Sequence, residues 1–159
     1  MSRLVAAALA ASVLGVACAG ADVSPNGRFT LHGTVKTVTD GDSIRVTLRN
    51  GKVEEVRLIG IDAPERDECF FAGARAIARR LATGKRVTLK GDATQATRDR
   101  FDRLLAYALL PGGVDLGYEV LARGGARVYV FARPFERLRA YREAETRGRR
   151  VTPSMWTCR

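Results

Sequence analysis

Histidine and cysteine are scarce in this chain of 159 residues, which narrows the chemistry open to it. The one histidine, His32, falls in a predicted first strand, and we interpret it as a surface or packing residue rather than a base. Cys69 and Cys158 have no histidine or third cysteine near them in the sequence, so metal binding by this pair is not expected. A thiolate metal site is therefore not predicted.

Acidic residues are also in short supply. The chain has 17 Asp and Glu against 27 Lys and Arg, which gives a net charge of +10 and a pI near 10.4. This balance predicts an anionic partner, with nucleic acid first and an anionic membrane surface second. A hydrophobic content of 46% excludes a disordered chain. After the N-terminal segment there is no internal repeat, low-complexity tract or linker, which indicates one domain.

No apolar run is long enough to span a bilayer permanently. The longest one covers residues 4–16, follows a short basic start, and precedes small residues that suit signal cleavage. We therefore predict a signal peptide over residues 1–21, a mature domain over residues 22–159, and export by secretion or to the periplasm. Cys18 leaves a second interpretation open, a lipid anchor on that cysteine. Release is favoured because Gly15 stands where the bacterial lipoprotein box usually has Leu.

Export changes how the cysteines are interpreted. Cleavage after residue 19 or 21 removes Cys18 and leaves an even pair, Cys69 and Cys158, in an oxidising compartment. We predict a disulfide between them, which would close most of the domain. The alternative is two buried or idle thiols.

The hydrophobic pattern predicts a small barrel with helices, a mainly β fold of the α+β class. Alternating residues and turn signals, including the hairpin turn Asn50-Gly51, predict five strands over residues 29–38, 44–48, 53–61, 86–90 and 104–110. Helical spacing predicts three helices over residues 66–81, 115–123 and 134–148. Five strands with polar loops gathered at one end indicate an OB-fold barrel.

Three short segments carry the chemistry, namely Asp40-Gly41-Asp42-Ser43, the run from Arg57 to Glu65, and the run from Asp99 to Ala106. Their carboxylates, Asp42, Asp62 and Glu65, are hard oxygen ligands of the kind that hold Ca²⁺ or Mg²⁺. Arg57 and Arg103 are planar donors that match phosphate oxygens. Taken one at a time, these residues could be a hairpin turn, a helix cap and surface ion pairs. Together they point to phosphodiester hydrolysis.

In order, spacing and flanking strands, these segments resemble the staphylococcal nuclease family over residues 33–156. The resemblance implies a five-stranded OB barrel with three helices and Ca²⁺-dependent hydrolysis of DNA and RNA that leaves 3′-phosphate ends. It also implies roles for six positions: metal carboxylates at Asp42 and Asp62, a metal-binding backbone carbonyl at Ala63, a general base at Glu65, and scissile-phosphate contacts at Arg57 and Arg103.

The chain departs from the family pattern at three positions. Ser43 stands where the family more often has Thr, Asp102 where it has Gly, and Phe101 where it tends to have Tyr. These departures bear on affinity and end preference rather than on the chemistry. Tyr129 and Phe131 fall where the family stacks rings on bases, and core packing is the alternative for both.

The expected partners are DNA and RNA, preferably single-stranded or denatured, for a monomer with no obligate protein partner. A membrane enters only if Cys18 carries lipid. Two rival functions remain: an OB-fold module that binds nucleic acid without cutting it, and an envelope-bound binder of cations or phosphate. The complete set of carboxylates and arginines argues for the enzyme.

Overall fold

The computed structural model describes residues 27–158. The predicted signal peptide, with Cys18, lies outside the described residues. These residues form seven strands: β1 (Thr30–Val38), β2 (Ser43–Leu48), β3 (Val53–Leu58), β4 (Ile61–Asp62), β5 (Arg86–Lys90), β6 (Leu104–Leu109) and β7 (Arg127–Val128). The three helices are α1 (Phe71–Ala82), α2 (Leu116–Ala122) and α3 (Leu138–Gly148).

Five strands close into a barrel in the order β1-β2-β3-β6-β5, with β5 returning to pair with β1. All of its pairs are antiparallel except β3 with β6, which is parallel. The short strands β4 and β7 form a separate antiparallel pair. The α+β fold with a five-stranded OB barrel and three helices is thus confirmed.

The barrel interior follows from the alternation in the strands. In β2, Ile44, Val46 and Leu48 are buried, while Arg45 and Thr47 between them point away from the core. Full burial of such a side chain contributes roughly 1.5–3 kcal/mol. The hairpin predicted at Asn50-Gly51 is present, and Gly51 has a positive φ of 83°, which is the reason glycine suits this turn.

The third predicted strand, residues 53–61, is in fact two strands. The chain turns after Leu58, and Gly60 adopts a φ of 79° that few side chains tolerate. A Cβ at this glycine would lie 2.4 Å from the ring of Phe135, so glycine also makes room for that buried side chain. The turn directs β4, and with it Asp62, away from the barrel wall.

Two helices begin later than their periodicity predicts. Helix α1 begins at Phe71 rather than at residue 66, because Phe70 has a left-handed φ of 70° that a helix cannot continue through. Helix α3 begins at Leu138 rather than at residue 134. There the Glu136 amide donates to the buried Asp92 carboxylate at 2.8 Å, so a tertiary bond fixes the chain just before the helix.

Cys69 and Cys158 form a disulfide, as predicted, with their Cα atoms 5.9 Å apart. The bond connects the segment before α1 to the end of the described chain. Within residues 27–158, no helix has the length and apolar character needed to cross a membrane.

Candidate active site

Asp42 lies in the turn between β1 and β2 and is 5% exposed. One of its oxygens accepts a hydrogen bond from the Ser43 hydroxyl at 3.0 Å, and the other accepts the Ala63 amide at 2.7 Å. Burial raises the pKa of Asp42 to about 7, against the opposing charge of Arg57, and Asp40 adds to the rise. The carboxylate is thus held by several donors and still destabilised in its charged form.

Arg57 lies between the two predicted metal carboxylates. One terminal nitrogen is 3.0 Å from an Asp42 oxygen and 3.3 Å from an Asp62 oxygen. The other donates to the backbone carbonyls of Leu58 at 3.2 Å and Ile61 at 2.7 Å. The guanidinium therefore holds the turn that leads into β4 and keeps the two carboxylates side by side.

Arg103 approaches the same place from the turn just before β6. Its Nε donates to Asp99 at 2.7 Å, and a terminal nitrogen lies 3.4 Å from the Ser43 hydroxyl. Asp99 also accepts hydrogen bonds from the backbone amides of Phe101 and Arg103. These bonds fix the turn and so hold the arginine in position. Burial alone would raise the pKa of Asp99, but the hydrogen bonds from Arg103 and Phe101 outweigh it and hold that pKa below its usual range.

Ala63 and Glu65 follow β4. Ala63 is buried, and its amide donates to Asp42, whereas Glu65 is exposed. Among the described residues, the Glu65 carboxylate takes part in no hydrogen bond or ion pair. Its backbone amide donates to the Glu68 carboxylate at 2.8 Å, which shapes the turn around it. Glu65 can therefore meet a water molecule without first breaking an internal contact.

A groove of about 810 Å³ runs alongside these groups. Arg57 and Arg103 line it together with three exposed rings, Phe101, Tyr129 and Phe131. The Tyr129 and Phe131 ring centroids are 6.4 Å apart, and the side chains are 44% and 83% exposed. These exposures exclude core packing, which was the alternative interpretation for this pair.

The donor set suits a hard divalent cation. Two carboxylates share one Arg57 nitrogen, and burial raises the pKa of Asp42, so a cation bound there would stabilise the charged form of Asp42. Within residues 27–158, no group of three or more His, Cys, Asp or Glu side chains is placed to hold a metal ion. A cation at Asp42 and Asp62 would therefore also need backbone or water oxygens, and the Ala63 carbonyl remains the predicted one.

Comparison with known proteins bears on this geometry. The family model described as "Staphylococcal nuclease homologue" matches residues 55–158, most of the chain. The chain belongs to this family. The matched segment contains Arg57, Asp62, Ala63, Glu65 and Arg103, while Asp42 lies before it.

Individual relatives agree with the family match. The chain is similar to an uncharacterized endonuclease of Escherichia coli O157:H7, with 34% identity over 99 residues, 62% of this chain and 61% of that protein. It is also similar to the thermonucleases of Staphylococcus hyicus (29% over 127 residues, 76% and 72% of the two chains) and Staphylococcus intermedius (36% over 98 residues, 56% of each). The chain thus spans about three-fifths of the length of the endonuclease relative.

In this staphylococcal nuclease homologue, the structure brings together Asp42, Asp62, Arg57 and Arg103, with Ala63 against Asp42. Two residues that hold these side chains in place were not predicted from the sequence. Asp99 orients Arg103, and its position four residues earlier in a turn was a usable signal. Arg127 pairs with Asp62, but it lies on a strand of two residues that no periodicity could reveal.

Proposed function

We propose that this protein is a Ca²⁺-dependent, sugar-non-specific nuclease that hydrolyses phosphodiester bonds of DNA and RNA and leaves 3′-phosphate ends. The observation that carries the proposal is the contact of one Arg57 nitrogen with both Asp42 and Asp62 at the edge of the groove. Two carboxylates and a guanidinium lie within one small volume, which supports a cation site next to a phosphate contact. Membership of the family and the names of the thermonuclease relatives support the same activity.

In this mechanism Asp42, Asp62 and the Ala63 carbonyl would hold Ca²⁺, which would supply positive charge at the scissile phosphate. Arg57 and Arg103 bind the scissile phosphate and stabilise the negative charge that grows on its oxygens. They act as fixed positive charges, because a guanidinium keeps its proton at working pH. Glu65 accepts the proton of the attacking water as general base.

Substrate contacts extend along the groove. Phe101, Tyr129 and Phe131 offer exposed ring faces on which unpaired bases can stack, which favours single-stranded or denatured nucleic acid. The net charge of the mature domain, +10 less the one charge of Arg3, or +9, adds attraction for the phosphate backbone that does not depend on sequence. We propose that the protein acts as a monomer.

We further propose that residues 22–159 form the mature domain and that it acts outside the cytoplasm. The Cys69–Cys158 disulfide supports an oxidising compartment. Intact mass measurement of the exported protein would test this. Removal of residues 1–19 or 1–21 without added lipid is expected, whereas a protein beginning at a lipid-modified Cys18 would place it on a membrane instead.

The activity itself is tested with DNA and RNA oligonucleotides of one sequence, each incubated with Ca²⁺ or with chelator. We expect both to be cut only with Ca²⁺, and the products to resist 3′ extension until a phosphatase has removed the terminal phosphate. An Arg123→Ala variant serves as the control, since Arg123 pairs with Glu119 on α2 and does not line the groove. Products with free 3′-hydroxyls, or cutting in chelator, would refute the proposed reaction. Binding without cutting would support the OB-fold binding module.

A further inference from the structure

Asp62 is held by a second arginine that the proposed reaction does not use. Arg127 places Nε 3.0 Å and a terminal nitrogen 2.7 Å from the same Asp62 oxygen. Arg57 contacts the other oxygen at 3.3 Å. Both oxygens of this carboxylate are therefore engaged by positive charge.

The fold fixes Arg127 in this position. Its strand pairs with β4 so that Arg127 stands opposite Asp62 in register. The two residues that follow it are anchored: the Val128 amide donates to the Glu145 side chain of α3 at 2.9 Å, and the Tyr129 amide donates to the Gly60 carbonyl at 3.0 Å. The contact with Asp62 is thus built into the backbone arrangement rather than being a chance meeting of two surface side chains.

This arrangement has an electrostatic consequence for a cation at Asp62. A divalent ion bound there would share the carboxylate with Arg127, and the two positive charges would repel each other. Arg127 also occupies an oxygen that the ion could otherwise use. Because the Arg127 side chain is 56% exposed, water and salt weaken the repulsion without removing it.

We infer that Arg127 competes with the divalent cation for Asp62 and so sets the cation concentration at which the proposed site fills. Arg127 is a tuning residue in this scheme and does not contact the reacting atoms. The inference rests on the proposed function, because it takes Asp62 to be a ligand of the cation. Removing the charge at position 127 should tighten Ca²⁺ binding by about three- to ten-fold, as expected for one partly screened charge near the ion.

The test measures Ca²⁺ affinity by calorimetry on wild type, Arg127→Gln and Arg127→Lys in the absence of nucleic acid. Glutamine removes the charge and keeps a donor, so its affinity should rise, whereas lysine keeps the charge and should bind as wild type does. Arg123→Gln is the matched control, because the Arg123–Glu119 pair has nearly the same exposure as Arg127–Asp62, 53% and 28% against 56% and 25%. It should leave Ca²⁺ affinity unchanged.

Two further measurements separate the possible failures. The gain in Arg127→Gln should shrink as salt is raised, since the repulsion is screened; Arg127→Met provides a second uncharged variant if glutamine disturbs folding. Equal or weaker Ca²⁺ binding in both uncharged variants would overturn the inference. Asp62→Asn tests the underlying site, because undiminished Ca²⁺ binding in that variant would refute the proposed metal ligand whatever Arg127 does.

Discussion

Two buried aspartates, Asp42 and Asp92, stand in opposite electrostatic situations. Asp92 is 1% exposed and receives the Tyr107 hydroxyl, the Thr94 hydroxyl and amide, and the Glu136 amide. Burial alone would raise the pKa of Asp92, but these hydrogen bonds outweigh it and bring the pKa below its usual value. This carboxylate is stable in its charged form with the protein's own donors.

Asp42 is nearly as buried, at 5%, yet its pKa rises to about 7. Its donors are the Ser43 hydroxyl, the Ala63 amide and Arg57, and two other carboxylates, Asp40 and Asp62, lie close by. At Asp92 the hydrogen bonds outweigh the cost of burial, whereas at Asp42 burial and the charge of Asp40 outweigh the donors, Arg57 included. That difference distinguishes a carboxylate that holds the fold together from one that we propose receives a cation.

The largest effect we expect concerns the disulfide, which joins the segment after Asp62 to the chain end. The linked cysteines are 89 residues apart. Opening a loop of this size by Cys69→Ala with Cys158→Ala should lower the free energy of unfolding by about 4–5 kcal/mol on the chain-entropy model. Urea unfolding of wild type and the double variant measures it. Equal midpoints, or two titratable thiols in unreduced exported protein, would contradict the expectation.

The arginines around Asp42 should affect turnover more than folding. Arg103→Lys keeps the charge but loses the planar pair of donors, so turnover should fall by about 10²–10³-fold with the fold intact. Arg57→Lys should lose as much activity, and because Arg57 also holds two backbone carbonyls it should cost about 1 kcal/mol in stability. Single-turnover rates and thermal melts separate the two effects. If both lysine variants turned over at the wild-type rate, the two arginines would be surface charges without a catalytic role.

Asp92→Asn should destabilise the fold, because Asp92 is the structural member of the aspartate pair. The amide has one acceptor oxygen where the carboxylate has two, so some buried donors lose their partner at a cost of about 1–3 kcal/mol. Since the pKa of Asp92 is lowered by folding, its contribution exists above the unfolded pKa, near 3.9, and disappears as pH falls through the folded value. The stability gap between wild type and variant should therefore narrow in acid. A constant gap from pH 8 to pH 2 would contradict this.

Asp42→Asn should raise the stability of the metal-free protein, whereas Asp92→Asn lowers it. Because folding raises the pKa of Asp42 to about 7, its contribution is fully present below the unfolded value and is lost as pH rises through 7. In chelator the variant should thus match wild type near pH 4 and exceed it at pH 8. The raised pKa alone corresponds to about 4 kcal/mol, and loss of the buried ion pair with Arg57 offsets most of it, so we expect a net gain of about 1 kcal/mol. Destabilisation at pH 8 would place Asp42 with Asp92 as a structural residue.

The barrel was predictable because its strands carry their own signal. The alternation of β2 and the Asn50-Gly51 turn depend only on neighbouring residues, and both appear where the pattern placed them. The kink at Gly60 and the late start of α3 depend on partners far along the chain, Phe135 and Asp92. Local periodicity cannot contain such contacts, which is why the boundaries there were wrong.

The candidate site was likewise predictable only in part. Its charged residues were identifiable from spacing and family resemblance, and the structure brings Asp42, Asp62, Arg57 and Arg103 together. The metal-binding and catalytic roles of these four residues, and those of Ala63 and Glu65, stay predictions. The contacts that hold these charged groups could not be predicted from the sequence. Arg127 reaches Asp62 only through the pairing of two strands of two residues each.

The most direct test of a cation site at Asp42 and Asp62 is cleavage of heat-denatured DNA by wild type and Asp42→Asn, each in Ca²⁺ and in chelator. Asp92→Asn, assayed at a temperature where it is folded, is the matched buried-aspartate control. We expect wild type and Asp92→Asn to cut in Ca²⁺ alone, and Asp42→Asn to cut in neither condition while still binding DNA in a salt-sensitive manner. Cutting in chelator, or an Asp42→Asn variant as active as wild type, would contradict the mechanism.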